Sequence, residues 1–240
     1  MICVIVPTYN ECDNLPVLLH ALLDLPEDYE VLVVDDASPD GTAQRALDIG
    51  EERGRVHVLH RTGPRGYGAA SKEGLLWALD HGYRIACTID GDMTHDPRVM
   101  PQLIAAIDAG AAAAIGSRFA PGGGYERGFS LKRRALTRCG NAYARVVMAA
   151  PARDNTSGYR AYTASALREV DLQTINSDGW FFLVELITAI NAHGGTVAEI
   201  PITYAVRASG TSSISIRLIL DAWARATKTG FRMRFTRRGR

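Results

Sequence analysis

Four short runs in the first ninety residues are apolar with little polar alternation: ICVIV at 2–6, VLVVDD at 31–36, VHVLHR at 56–61 and RIACTI at 84–89. A strand with apolar side chains on both sides has to be covered on both faces. Between these runs the apolar spacing switches to helical. Leu15, Leu18, Leu19, Leu22 and Leu23 make one stripe of a helix predicted over Glu11–Leu25. Strands of this kind alternating with helices predict an α/β fold, a mostly parallel central sheet flanked by helices. The same reading predicts helices from Asp40-Gly41-Thr42 to Arg53, over 69–81, 98–109, 131–149 and 180–193. It places further strands at 112–117, 160–163 and 197–206 and reads 119–130, with Gly122-Gly123-Gly124, as a mobile loop. Residues 1–213 are expected to form one domain. A polar loop at Ser209–Ser215 leads into an amphipathic helix over 214–229, so 214–240 is read as a basic C-terminal helix and tail.

Charge separates those two parts. The chain has 27 Lys and Arg against 26 Asp and Glu, but Arg217, Arg225, Lys228, Arg232, Arg234, Arg237, Arg238 and Arg240 face a single acid, Asp221, in the tail. With Ile214, Leu218, Trp223, Phe231 and Phe235 interleaved, the tail has the composition of an interfacial helix on an anionic membrane surface, or of a packed helix with a solvated basic end. No run is long and apolar enough to span a bilayer. Cys3, Cys12, Cys87 and Cys139 show no CxxC spacing, and Cys3 and Cys87 fall in strand-like runs, as expected of reduced core thiols. The expected location is the cytoplasm, peripherally on a membrane face if the tail binds lipid, with no nucleic-acid partner.

In an open parallel sheet, ligands bind at the carboxyl ends of the strands. Three loops there carry chemistry: Pro7-Thr8-Tyr9-Asn10-Glu11, then Asp35-Asp36-Ala37-Ser38-Pro39-Asp40, then Asp90-Gly91-Asp92. No GxGxxG and no P-loop lysine follows the first strand, which argues against dinucleotide and ATP sites. Asp40 suits a helix cap. Asp36 at a strand end suits hydrogen bonds from a ribose or a base edge. Asp90 and Asp92, one residue apart, form either a solvated polar loop or a site where a hard cation bridges carboxylates to phosphates.

VIVPTYNE, VVDDASPDGT and the DxD at 90–92 together resemble the GT-A fold of family 2 inverting glycosyltransferases. GSRF at 116–119, Arg133, Asn141, DNTSGYRAY at 154–162, Glu185 and EIPITYAVRASGTS at 199–212 narrow the resemblance to the dolichol-phosphate (polyprenol-phosphate) mannose synthase branch, over residues 2–213. The resemblance implies that Pro7, Tyr9, Glu11, Val34, Asp36 and Gly91 line the donor nucleotide's pocket. It implies that Asp90, Asp92 and Thr94 hold Mg²⁺ or Mn²⁺, Thr94 standing where family members usually have Gln. It further implies that Arg118 and Arg133 take the acceptor phosphate, with Thr137 in place of a usual Ser, and that Arg207 reaches the diphosphate or the acceptor. A Trp common after the Gly-rich loop is replaced by the Tyr125-Glu126-Arg127 neighbourhood, and the family's Gly-x-Ser-Lys reads Gly210-Thr211-Ser212-Ser213.

The implied reaction is metal-dependent, inverting transfer of a hexose, mannose from GDP-mannose first among the candidates, to a polyprenyl or dolichyl phosphate. Arginine suits these roles because its planar fork matches phosphate oxygens and keeps its charge. Each residue also has a bland reading: a structural ion pair for Arg118, a solvated helix face for Arg133. A lipid phosphate is anionic already and needs no strong base. A hydroxyl or carbon acceptor would need one, and Asp178 or Glu185 would serve, Glu185 being otherwise a buried partner of an arginine. A UDP-sugar donor, and a binding protein without catalysis, complete the alternatives.

Overall fold

The strands are built from residues that alternate between two cores. In β1 (Ile2–Thr8), Cys3 and Ile5 enter one apolar cluster and Val4 and Val6 the other. In β2 (Tyr29–Asp35), Leu32 and Val34 go to the first and Val31 and Val33 to the second. This two-sided burial is what the unalternating runs require. The computed structural model describes residues 1–175, 177 and 179–206. The expectations for Asp178, Arg207, the loop at 209–215 and the segment 214–240 lie outside the described residues.

The remaining strands are β3 (Val56–His60), β4 (Ile85–Thr88), β5 (Ala113–Ser117), β6 (Gly124–Tyr125), β7 (Arg160–Thr163), β8 (Val197–Pro201) and β9 (Thr203–Tyr204). Seven of them form one sheet in the order β3-β2-β1-β4-β7-β5-β8. All its pairs are parallel except those of β7, which runs antiparallel between β4 and β5. The helices α1 (Leu15–Leu23), α2 (Thr42–Arg53) and α4 (Met100–Asp108) supply the core on one face. On the other face are α3 (Tyr67–Asp80), α6 (Ala164–Glu169) and α7 (Phe181–Ala192); α5 (Leu131–Met148) contributes to a third, small apolar cluster. The buried leucines of α1 follow the predicted stripe, each contributing about 1.5–3 kcal/mol relative to an exposed position.

Several boundaries move, each for a local reason. β1 continues through Pro7 because pairing with β4 ends at Ile5–Thr88, so the missing N–H falls on a side with no ladder left to complete. α1 starts at Leu15, with Pro16 in its first turn, and Glu11 stays in the loop, its carbonyl accepting from Leu15 N at 2.8 Å. The strand expected at 197–206 is two strands. Pro201 closes β8 opposite Ser117, and the chain then crosses to a second sheet in which β9 pairs with β6. The segment 119–130, expected to be a mobile loop, is therefore tied down: Gly124 N donates to Ile202 O and Glu126 N to Tyr204 O, both at 2.9 Å. The short α6 was not anticipated; Thr163 caps it by accepting from Ala166 N.

Candidate active site

The loops after β1, β2 and β4 converge at one end of the sheet. The first two are stitched together by the DDASPDGT run. Asp35, fully buried, accepts from Ser38 N at 2.9 Å, and Ser38 Oγ accepts from Asn10 N at 3.0 Å. Asp40 accepts from Cys12 N at 3.2 Å and from Thr42 N and Oγ1 at 3.0 and 2.6 Å, so it satisfies a donor at the start of α2, as expected of a cap, although it stands before the capping position. Thr42 Oγ1 in turn accepts from Glu11 N at 2.9 Å. Most of these side chains thus hold the loops in shape and do not reach for a ligand. Each of the three loops also contains one non-glycine residue in the left-handed region, Asn10 (φ 57°), Ala37 (φ 54°) and Met93 (φ 60°). Such strain persists where the surrounding structure over-determines it, as it does at ligand sites.

Asp36 is buried and already engaged. It accepts from Arg61, on the loop after β3, and from Gly66 N at 2.9 Å; Arg61 also meets Glu73 at 3.0 Å. Sequence reasoning read Arg61 only as the end of a strand. Tyr9 is exposed on the rim with the Arg65 guanidinium 4.4 Å from its ring centroid, a flat platform of the size of a nucleobase. Glu11 is buried and accepts from Asn14 Nδ2 at 2.8 Å. Pro7 stands half-buried at the strand end. The Val34 side chain belongs to the core against Gly74 of α3, which leaves only its backbone for any pocket. Gly91 sits where a Cβ would lie 3.2 Å from Thr8 Cγ2, so the third loaded loop passes close over the first.

Asp90 and Asp92 follow directly on β4. Asp92 Oδ1 accepts from Thr94 N at 3.2 Å and from Thr94 Oγ1 at 2.6 Å, so Thr94 braces Asp92. His95 is buried, its Nε2 3.3 Å from Asp90 Oδ2 and its ring between those of Tyr159 and Tyr204. Asp90 Oδ1 is buried and makes no well-formed hydrogen bond with any described residue, the Tyr67 hydroxyl being the donor nearest at hand. A bare carboxylate oxygen beside a second carboxylate fits a hard divalent cation. No group of three or more His, Cys, Asp or Glu is close enough to hold a metal alone among the described residues, so a cation here would complete its shell with oxygens of a bound ligand.

A basic cavity adjoins this corner. One lobe, of about 410 Å³, is lined by residues including Arg118, Arg138, Arg145 and Arg153; the second, of about 440 Å³, by Arg118, Arg134, Arg138 and Tyr125 among others. Arg118 is bidentate to Asp154, Nε and Nη2 each at 2.7 Å, and donates to Thr156 Oγ1 at 2.9 Å. Burial alone would pull the guanidinium down, but Asp154 more than offsets it, and the same pairing holds the Asp154 carboxyl below its usual range. The structural-pair reading of Arg118 is therefore correct as geometry, and its remaining face lines the cavity. Arg133 projects from the exposed side of α5, and the arginines turned toward the cavity from this helix are Arg134, 4.9 Å over the Tyr125 ring, Arg138 and Arg145. Thr137 spends its hydroxyl on Arg133 O at 2.9 Å, and Asn141 binds Thr156 Oγ1 at 3.0 Å.

Tyr204 stands between the carboxylate pair and Arg118. Its ring centroid is 5.1 Å from that of His95 and 5.3 Å from the Arg118 guanidinium, and Ala205 N donates to Thr94 O at 2.9 Å. Burial and then Asp90 push its phenol up to about 12, so it stays protonated and neutral at the junction. Glu185 lies half-buried on α7. Asp154, Arg134, Arg138 and Tyr204 were missed as site residues; the quoted DNTSGYRAY and EIPITYAVRASGTS runs contain Asp154 and Tyr204, but only the fold brings them together.

The sequence model of "Glycosyl transferase family 2" matches residues 3–171. A polyprenol monophosphomannose synthase of Mycolicibacterium smegmatis is 39% identical over 98% of this chain and 88% of its own length. An undecaprenyl-phosphate mannosyltransferase of Micrococcus luteus is 38% identical over 96% and 94%. Among solved structures, glucosyl-3-phosphoglycerate synthase from Mycobacterium tuberculosis, in complex with Mn²⁺, UDP and phosphoglyceric acid, superposes with a TM-score of 0.67 at 19% identity, over 96% of this chain and 77% of that one. At that identity the likeness bears on the fold alone.

Proposed function

The chain belongs to glycosyl transferase family 2, and from that premise we propose that it moves mannose from GDP-mannose to a polyprenyl phosphate, inverting the anomeric carbon. It is a glycosyltransferase of the GT-A fold. The observation that supports the finer reading is the junction at Tyr204, whose ring lies against His95 beside the carboxylate pair on one side and near Arg118, which lines the arginine-rich cavity, on the other. The names of the two bacterial relatives support the same acceptor.

Asp90 and Asp92 would hold Mg²⁺ or Mn²⁺, which when bound supplies charge neutralisation to the leaving nucleoside diphosphate. Tyr9 and Arg65 offer the base a platform, and Glu11, Asp36 and the backbone around Val34 and Gly91 shape the walls beside it. Arg118, kept charged by Asp154, and Arg134 and Arg138 present their forks to the acceptor phosphate; Arg133 is adjacent on the outer face, and Arg207 belongs to the same proposal. A phosphate oxygen forms the new bond to the anomeric carbon while the bond to the diphosphate breaks on the opposite side. The nucleophile is already an anion, so alignment and charge compensation supply the catalysis and no side chain has to take a proton.

No helix among the described residues is long and apolar enough to cross a membrane. α5 carries Leu131, 76% exposed, and Arg145 where it borders the cavity, and exposed Lys132, Arg133 and Val146, 68% exposed, on the rest of its surface, a composition suited to anionic headgroups where a lipid acceptor would be drawn.

Purified protein given Mn²⁺, radiolabelled GDP-mannose and undecaprenyl phosphate is expected to carry label into the organic phase, and undecaprenol without its phosphate is expected to accept none. Label appearing only on a soluble hydroxyl acceptor, with Asp178→Ala or Glu185→Ala abolishing that turnover, would overturn the proposal in favour of base-assisted transfer.

A further inference from the structure

Tyr67 opens α3 half-buried, with its hydroxyl inside the protein, yet that hydroxyl has no well-formed hydrogen bond with any described residue. Asp90 Oδ1 is in the same condition. The two oxygens meet at Gly158: a Cβ built there would lie 2.3 Å from Tyr67 Oη and 2.4 Å from Asp90 Oδ1, so they are less than about 5 Å apart. A buried polar atom left unpaired costs about 1–3 kcal/mol, and here two such atoms are each other's nearest remedy.

The ring cannot swing away. It is stacked on Trp180 with centroids 3.9 Å apart and planes 10° from parallel. The next residue, Gly68, lies where a Cβ would come within 2.5 Å of Gly179 O and 2.7 Å of Ser177 O, so the start of α3 is pressed directly onto the segment leading into α7. A phenol is protonated at neutral pH, so the Tyr67 hydroxyl is a donor there. Arg160, itself fully buried, and Tyr162 are the other polar groups felt at the hydroxyl.

We propose that Tyr67 is a positioning residue for the first carboxylate of the DxD pair: clamped by Trp180, its hydroxyl donates to Asp90 and fixes the carboxylate's orientation, leaving the carboxylate's remaining lone pairs for the cation. This rests on the reading that Asp90 and Asp92 hold a divalent ion. Carboxylate ligands are held in this way by outer hydrogen bonds, and losing such a partner costs 10–100-fold in metal affinity. His95, on the other carboxylate oxygen, is the second support.

The test is calorimetric titration of GDP, with UDP in parallel, into wild type and Tyr67→Phe, each in Mn²⁺ and in EDTA. Tyr67→Phe is expected to lose roughly 10–100-fold of the Mn²⁺-dependent affinity while its affinity in EDTA and its melting temperature match wild type. Tyr67→Leu, which fills the slot without a hydroxyl, is expected to show the same selective loss and serves as the second variant should Phe perturb the fold. Mn²⁺-dependent binding in wild type that both variants retain in full would overturn the inference. So would an equal loss with and without metal, which is the mark of a structural role. Wild type binding nucleotide equally in Mn²⁺ and EDTA would overturn the metal reading itself.

Discussion

Asp154→Ala is expected to destabilise the protein by about 3–5 kcal/mol, because it leaves a largely buried guanidinium without its carboxylate. The Arg118 side chain is 9% exposed and that of Asp154 is fully buried. Asp154 also accepts from Arg118 N at 3.0 Å, so its removal frees backbone and side chain together. For a chain of this size, about 1 kcal/mol moves the melting temperature by about 2–4 °C, so a drop on the order of 10 °C is the expected reading in a thermal melt. Arg118→Met combined with Asp154→Leu, which replaces the pair by apolar groups, is expected to recover most of it. The same pair sets a pH dependence. The Asp154 carboxyl is held below its unfolded value, so its contribution is fully present above the ordinary carboxylate range and is lost as pH falls through the lower, native value. Asp154→Ala should therefore melt with less dependence on acidity below about pH 4 than wild type does. A melting temperature within a degree of wild type at neutral pH would show that Arg118 does not depend on this partner.

Gly158→Ala is expected to abolish most turnover while leaving the fold largely intact. The added methyl would meet Tyr67 Oη and Asp90 Oδ1 at 2.3 and 2.4 Å, far inside contact distance. Tyr67 is fixed by its stack on Trp180, so the Asp90 carboxylate has to move. A displacement of about 1 Å in a reacting constellation costs about 10²-fold, and a loss in kcat of that order or more is the expected outcome. Retention of activity within about threefold would mean that the orientation of Asp90 does not matter to transfer, against the electrostatic account of the site.

The strands, the leucine stripe of α1 and the three loaded loops were legible because each is a local pattern. Apolar residues on both sides of VLVV can be satisfied only by two covers, whatever the rest of the chain does. The orientation of β7 was not legible: the four residues at 160–163 pair antiparallel with β4 and three of them also with β5, a choice made by partners far away in sequence. The split at Pro201 was written in the residue type but was hidden inside an otherwise continuous strand pattern.

At the site, Asp90 and Asp92 were legible because like charges one residue apart at a strand end ask for a counter-ion. The positions of the arginines were legible only as a neighbourhood. A helix turns 100° per residue, so the cavity takes Arg134 and Arg138 while Arg133, adjacent in sequence, faces outward. Gly158 stood in the TSGYR run, but its reason, the narrow space between Tyr67 and Asp90, joins three segments that only the folded chain brings together.

The central claim is that the carboxylate pair after β4 binds the donor's diphosphate through a divalent cation. The most direct measurement is the thermal shift of the wild-type protein with GDP-mannose, and with UDP-glucose for comparison, in Mn²⁺ and again in excess chelator. A ligand at about 100 times its dissociation constant stabilises by about 2.7 kcal/mol, so a rise of several degrees with GDP-mannose and Mn²⁺, disappearing in chelator and in Asp92→Asn, is the predicted result. An equal rise in chelator, or in Asp92→Asn, would contradict it.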